Sequence, residues 1–209
     1  DFTDIRSDFP CFAKDTLIRV PGGQCLIQDL RDGDLVETRD QGPLPIRWIR
    51  SRSVAVSTVQ GNAPVRVWTE AEDLIVSGQH AIFMDLAGRE VLVPAKAMVG
   101  SPDAEEAAEL THVDYYSILL PRHALIWANG RLCESFYPGP WILKAIAAPL
   151  RAELVALLPG LDRAEAAIIY GPTCRPRLSV GQARKDLATY RASMPSGTVS
   201  AVHFSTQKV

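Results

Sequence analysis

Four residues of this 209-residue chain have side chains and settings suited to making and breaking bonds: Cys11 in "DFPCFAKDTLIRV", Ser77 and His80 in "SGQH", and His123 in "PRHALIW". The nucleophile would be the thiolate, and a thiol whose pKa lies near ~8.5 needs a base beside it or a lowered pKa. Histidine titrates near neutrality and can hand a proton to an amine as it leaves. A cysteine and a histidine distant in sequence become nucleophile and proton donor once a fold joins them. Spacing alone does not say which bond is attacked, and roles as packed structural residues suit Cys11 and His80 as well. The unusual feature is the place of the thiol. Cys11 follows Pro10 directly, at the threshold of a strand where the chain turns inward.

The elements that must position these residues are short strands broken by tight turns. "TLIRV" closes at Pro21-Gly22-Gly23, "QCLIQDL" runs to Asp32-Gly33, and "LVETR" to Asp40-Gln41-Gly42. A long strand "LPIRWIRSRSVAV" follows, then "VRVW", "DLIV", "AIFM", a turn at Ala87-Gly88, and "EVLV". "PAKAMVG" reads as one helical turn, and "SPDAEEAAEL" as an acidic loop or short helix on a solvated face. "DYYSILL" and "HALIWANGRLCESF" complete the set, with Asn129-Gly130 a hairpin turn. Strands recurring every 8–12 residues predict an all-β sandwich or closed barrel-like fold. An internal echo, "HAIFMDLAGR" from His80 and "HALIWANGR" from His123, suggests two related hairpin lobes, each lending one histidine to a shared centre.

After Pro140 the pattern becomes helical. "WILKAIAAPLRAELVALL" reads as an amphipathic, core-docking helix, and "SVGQARKDLATYRASM" opens on a capping-box pattern, Ser179 with Gln182. Residues 140–209 are therefore read as a helical extension on the β domain, its tail "SGTVSAVHFSTQKV" either a last strand or loose.

Composition narrows the function classes. The chain is 47% hydrophobic and 22% charged with a net charge of −2, so it has no phosphate-neutralising excess and nucleic acid is not expected as a partner. Lys144, Arg151, Glu153 and Pro149 interrupt the most apolar stretch, so no membrane span is expected. Cys11, Cys25, Cys133 and Cys174 show no CxxC spacing, which argues against a zinc site or a disulfide framework. The chain opens at Asp1 rather than Met and without a signal-peptide pattern, leaving room for a segment upstream and leaving its location open.

The stretch "CFAKDTLIRVPGGQCLIQDLRDGDLVETRDQGPLPIRWI" resembles the opening of a Hint domain, the module shared by Hedgehog autoprocessing domains and inteins. The likeness rests on Cys-Phe, on Thr16 and Ile18, on Leu30, Gly33, Asp34 and Val36 in "L-x-x-G-D-x-V", and on Arg47-Trp48-Ile49. "LIVSGQHAIF" resembles the family's Thr-x-x-His motif with Ser77 in the threonine's place; "EVLVPAKAMVG" and "YYSILLPRHALIWANGRLCESFYPG" resemble the closing strands. The similarity covers about residues 9–139 and is greatest to bacterial Hint domains of stand-alone or toxin-like proteins.

The resemblance implies an all-β Hint fold with pseudo-two-fold hairpin lobes over 11–139, preceded by an upstream segment 1–10. It implies that Cys11 attacks the carbonyl of Pro10, turning an amide into a thioester by an N–S acyl shift. His80 would bond and protonate the scissile nitrogen, Ser77 would support the amide or oxyanion, and His123 would assist later steps or serve as a hydrogen-bonded core histidine. The substrate would be the chain's own upstream polypeptide, the acyl acceptor water or a small nucleophile, and neither metal nor organic cofactor would be needed. Four positions depart from the pattern. Asp15 stands where glycine is expected, Pro10 precedes the nucleophile, and Glu134 and Ser135 stand where inteins carry His-Asn. Serine has no side-chain amide to cyclise, so C-terminal cleavage and splicing are not expected. The rival readings are a catalytically weak Hint scaffold used for binding or presentation, and a cysteine hydrolase acting in trans. Cys25 and Cys133 read as core, His112 and His203 as surface, and Trp48, Trp68, Trp127 and Trp141 as packing.

Overall fold

Fourteen short strands and five helices follow from that alternation in the computed structural model, which describes residues 9–56, 61–69 and 72–194. The strands are β1 (Phe12–Ala13), β2 (Leu17–Val20), β3 (Gly23–Leu26), β4 (Leu35–Thr38), β5 (Gly42–Pro45), β6 (Trp48–Ala55) and β7 (Val65–Val67). They continue as β8 (Leu74–Val76), β9 (Ala81–Asp85), β10 (Glu90–Pro94), β11 (Ala104–Glu106), β12 (His112–Leu119), β13 (Leu125–Ala128) and β14 (Arg131–Glu134). The helices are α1 (Ala95–Met98), α2 (Pro140–Ala145), α3 (Ala148–Leu157), α4 (Ala166–Ile169) and α5 (Val180–Ala192).

Two antiparallel sheets result. One runs β11-β7-β8-β1-β12-β6, the other β10-β9-β14-β13-β2-β3 with β4 and β5 branching from β13. The hairpins β9–β10 and β13–β14 are joined by pairing of Cys133 with Ile82, so the two lobes of the sequence echo lie side by side. Asn129 and Gly130, with φ of 45° and 78°, make the tight turn that twists with its strands. Asn129 also braces the lobe: its side chain accepts from the Leu17 N–H at 2.7 Å and donates to the Asp73 carbonyl at 2.9 Å.

The apolar faces of both sheets close over one core that includes Ile18, Val36, Ile82, Met84, Ile118 and Ile126, with Ala183 and Leu187 of α5 packed against it. A second cluster forms on the outer side of the first sheet. There Phe9, Cys11, Trp48, Tyr115 and Phe136 pack with Ile142, Leu154, Leu161 and Tyr170 from the helices. Polar ties hold the same seam: Trp48 Nε1 donates to Glu153 at 2.9 Å, and the Tyr170 hydroxyl donates to the Leu120 carbonyl at 2.9 Å.

Several local expectations change. The stretch read as one helix is two, because the backbone turns extended at Ile146 and Ala147 and Pro149 lies in the first turn of α3, where a missing N–H is harmless. The long strand "LPIRWIRSRSVAV" divides into β5 and β6 around Ile46 and Arg47. The acidic loop carries strand β11, paired with β7. Ser179 caps α5 by accepting from the Gln182 N–H, but the Gln182 side chain binds Asp186 rather than closing a capping box. Trp68 is exposed, with Arg66 stacked over its ring, and Cys25 is half-buried, whereas Trp48 and Cys133 are buried. His112 is exposed; His203 and the tail from residue 195 lie outside the described residues.

Candidate active site

The two-residue strand β1 places Cys11. Phe12 pairs with Val76 of β8 on one side and with Tyr116 of β12 on the other. In antiparallel register, the residue before Phe12 then faces the residue after each partner, so Cys11 lies between Ser77 and Ser117. Both hydroxyls engage the peptide. The Cys11 N–H donates to Ser77 Oγ at 3.0 Å, and that hydroxyl donates to the Phe9 carbonyl at 2.8 Å. The Ser117 hydroxyl donates to the Pro10 carbonyl at 3.3 Å and lies 3.3 Å from Cys11 Sγ. A thiol has one proton to give and a hydroxyl has one proton and two lone pairs. The arrangement that uses each proton once is S–H to Ser117 Oγ and Ser117 O–H to Pro10 oxygen.

Cys11, Ser77 and His80 are each 1% exposed. Burial raises the pKa of the Cys11 thiol, while Arg52 and the Ser117 bond pull it down. Arg52 of β6 pairs in register with Tyr115 of β12, stacks over the Phe9 ring at 3.7 Å, and brings Nη2 to 3.8 Å from the thiol. The resting thiol therefore keeps its proton, with a cation beside it.

His80 differs from expectation. The Cys11 nitrogen is bonded by Ser77, not by His80, because the chain turns between them through Gly78 and Gln79 with the His80 N–H donating to the Ser77 carbonyl at 2.9 Å. Neither His80 ring nitrogen has a hydrogen-bond partner among the described residues, and the ring packs on Phe12 with centroids 4.1 Å apart. Burial lowers its pKa to about 4, opposed by the Glu134 carboxylate and helped by the Arg177 guanidinium. The ring is neutral at neutral pH.

His123 lies buried on the other lobe. Its Nδ1 accepts the Cys174 backbone N–H at 3.0 Å; Nε2 is 3.1 Å from the Ser135 carbonyl and 3.5 Å from Glu134. Burial opposes a second proton, while the Cys174 and Glu134 contacts favour it. The hydrogen bond at Nδ1 decides between them: the lone pair that would take that proton already holds the Cys174 N–H, so the resting ring is the neutral Nε2–H tautomer, assigned from its partners. Glu134, 0% exposed, keeps its carboxylate ionised down to about pH 2: burial works against the charge, and Arg177 foremost offsets it. Thus Cys11, Ser77 and Ser117 touch directly, while His80 and His123 meet around Glu134.

Asp15 adopts φ 69°, the left-handed conformation a glycine would take there. Its N–H donates to Gln28 Oε1 at 2.9 Å and its carboxylate accepts from Gln28 Nε2 at 2.6 Å, so the turn shape is kept. Asp34 ties the turn after Gly33 by accepting the Arg31 N–H at 2.8 Å. Sequence reading overlooked Ser117, Arg52 and Arg177. Only Ser117 left a trace, as a lone hydroxyl in the apolar run of "YYSILL". Among the described residues no cluster of His, Cys, Asp and Glu is arranged to hold a metal, and all four cysteines are free.

A family model described as Hint domain matches residues 10–140. The chain belongs to the Hint domain family. Membership points to autoprocessing as the general class of function, and the matched span opens at the peptide gripped by Ser77 and Ser117. Among solved structures, the Hint chain is similar to the gp41-1 intein (16% identity, 59% of this chain and 97% of that one, TM-score 0.44). It is similar to a bacterial intein-like domain from Clostridium thermocellum (13% identity, 59% and 96%, TM-score 0.44). It is also similar to a splice-inactive variant of the AceL NrdHF class 3 split intein (13% identity, 60% and 97%, TM-score 0.43). No curated protein matches it.

Proposed function

We propose that this Hint domain cleaves its own chain at the Pro10–Cys11 bond by an N–S acyl shift, without splicing. The observation that carries the reading is the pair of hydroxyls on that one peptide, Ser77 on the nitrogen side and Ser117 on the carbonyl side with the thiol in contact. Cys11 Sγ bonds to the Pro10 carbonyl carbon as its proton leaves. The Ser117 hydroxyl stabilises the negative charge growing on oxygen, and Arg52 the charge growing on sulfur. The C–N bond then breaks and the Cys11 nitrogen takes a proton, so the proton lost from sulfur balances the one gained by nitrogen. His80, neutral and with both ring nitrogens uncommitted, carries it. Water or a small thiol would then release the acyl group from the thioester. Ser135 supports the absence of splicing: its hydroxyl accepts the Ala124 N–H at 3.1 Å and has no amide to cyclise.

The test is the intact mass of a fusion carrying a reporter upstream of Asp1, incubated with and without dithiothreitol beside Cys11→Ala. Thiol-accelerated scission between Pro10 and Cys11, absent in Cys11→Ala, is expected. A precursor that stays whole while its circular dichroism shows a folded domain would leave the scaffold reading in its place.

A further inference from the structure

The segment between α4 and α5 lies beyond the family-matched residues, yet it enters the site. It runs beside β10 as a parallel bridge: the Leu92 N–H donates to the Pro176 carbonyl at 2.9 Å and the Leu178 N–H to the Leu92 carbonyl at 3.0 Å, with Arg177 opposite Leu92. Arg175 fastens its outer side to Glu90 at 2.5 Å and Asp40 at 3.0 Å. The inward result is Arg177. One arm of its guanidinium pairs with Glu134 and the other donates to the Gln79 carbonyl. The same Glu134 oxygen accepts the Ala81 N–H at 2.9 Å. Gln79 and Ala81 flank His80, so this one ion pair grips the chain on both sides of the unpartnered imidazole.

We infer that Arg177 is a positioning residue of the processing centre, clamping the backbone around His80 through Glu134 and balancing the charge that Glu134 presents to it. The inference rests on the cleavage reading for its consequence, though not for its test. Three groups face His80: Glu134 from β14, Arg177 from this segment and His123 ahead of β13. With His123 neutral, Arg177 is the cation that offsets Glu134. Removing the arginine leaves an anion beside His80, and removing the glutamate leaves a cation.

Titration of the His80 ring by nuclear magnetic resonance tests this on the whole chain without any need for cleavage. In Arg177→Met the midpoint should rise by about one unit, a tenfold gain in proton affinity. In Glu134→Gln it should fall, and in the double variant it should return to within a few tenths of the unmodified protein. Arg177→Lys, which keeps the charge, should hold the midpoint in place and remains informative where Arg177→Met fails to fold. Midpoints that do not move, or that move in the same direction in Arg177→Met and Glu134→Gln, would overturn the inference. The cleavage rate of the same variants at pH 7 gives the second readout, with at least a tenfold loss expected in Arg177→Met. Titrations of the predicted signs in a precursor that never cleaves would sink the cleavage proposal and leave the clamp standing.

Discussion

At the entrance of β1 the peptide is held by neutral hydroxyls, whereas at the entrance of β9 it is held by a buried carboxylate from β14 and a guanidinium from a bridging segment farther along the chain. The two places lie on different sheets and are fixed by opposite means. Hydroxyls exchange donor and acceptor roles at little cost, so they can follow a charge as it moves from sulfur to oxygen. An ion pair with a buried carboxylate gives no such latitude, because separating it strands that charge in a dry interior. The first arrangement suits a bond meant to change, and the second suits a backbone meant to stay.

The largest effect that would break this contrast is at Cys11. Cys11→Ala should abolish scission completely, measured as intact precursor mass after prolonged incubation with thiol. Ser117→Ala comes next, with about a 10²-fold slower release expected from the loss of one donor at the growing oxyanion. Ser77→Thr keeps its hydroxyl and should stay within about threefold of the parent rate, since the bonded oxygen is retained.

Stability sharpens the comparison through pH. His80 has its folded pKa depressed from 6.5 to about 4, so the unfolded chain binds more protons between those values and stability falls as pH drops from 6.5 toward 4. Glu134, depressed from 4.5 to about 2, adds a second loss below pH 4.5. Urea midpoints should show both steps, and His80→Gln should be shallower than the parent between pH 6.5 and 4.5. Leu154→Ala should lower stability by about 2–5 kcal/mol in the same assay, because Leu154 is fully buried against the cluster that contains Cys11. The smallest effect is at Asp15. Asp15→Gly relieves about 1 kcal/mol of left-handed strain and keeps the backbone N–H bond to Gln28 but loses the carboxylate's bond to it, and urea melts should differ by under about 1 kcal/mol.

The sheets were legible in the sequence because turn residues such as Asn129-Gly130 and Ala87-Gly88 mark most of the hairpins. Cys11, Ser77 and His80 were legible as local motifs. Ser117 and Arg52 were not, because their nearness to the thiol depends on β1 being threaded between β8 and β12, a pairing 66 residues away on one side and 106 on the other. Arg177 was hidden for a similar reason: "TCRPRLS" has neither periodicity nor motif, and its role comes only from lying along β10. The helix break at Ile146 and Ala147 was missed because "KAIAAPLRAEL" has strong helix formers on both sides, and only the proline signals an end.

Phe9 is 3% exposed, wedged in the cluster of Trp48, Phe136 and Leu154 with Arg52 over its ring. A chain cut after Pro10 would therefore have two pieces that remain in contact. Burial of one such ring holds about 2 kcal/mol, enough to delay departure of the upstream fragment when its new terminus lies beside the new amine of Cys11. Chemistry and parting would then be separate events with separate rates. Gel filtration would report the slower of them, while mass spectrometry under denaturing conditions would report the first.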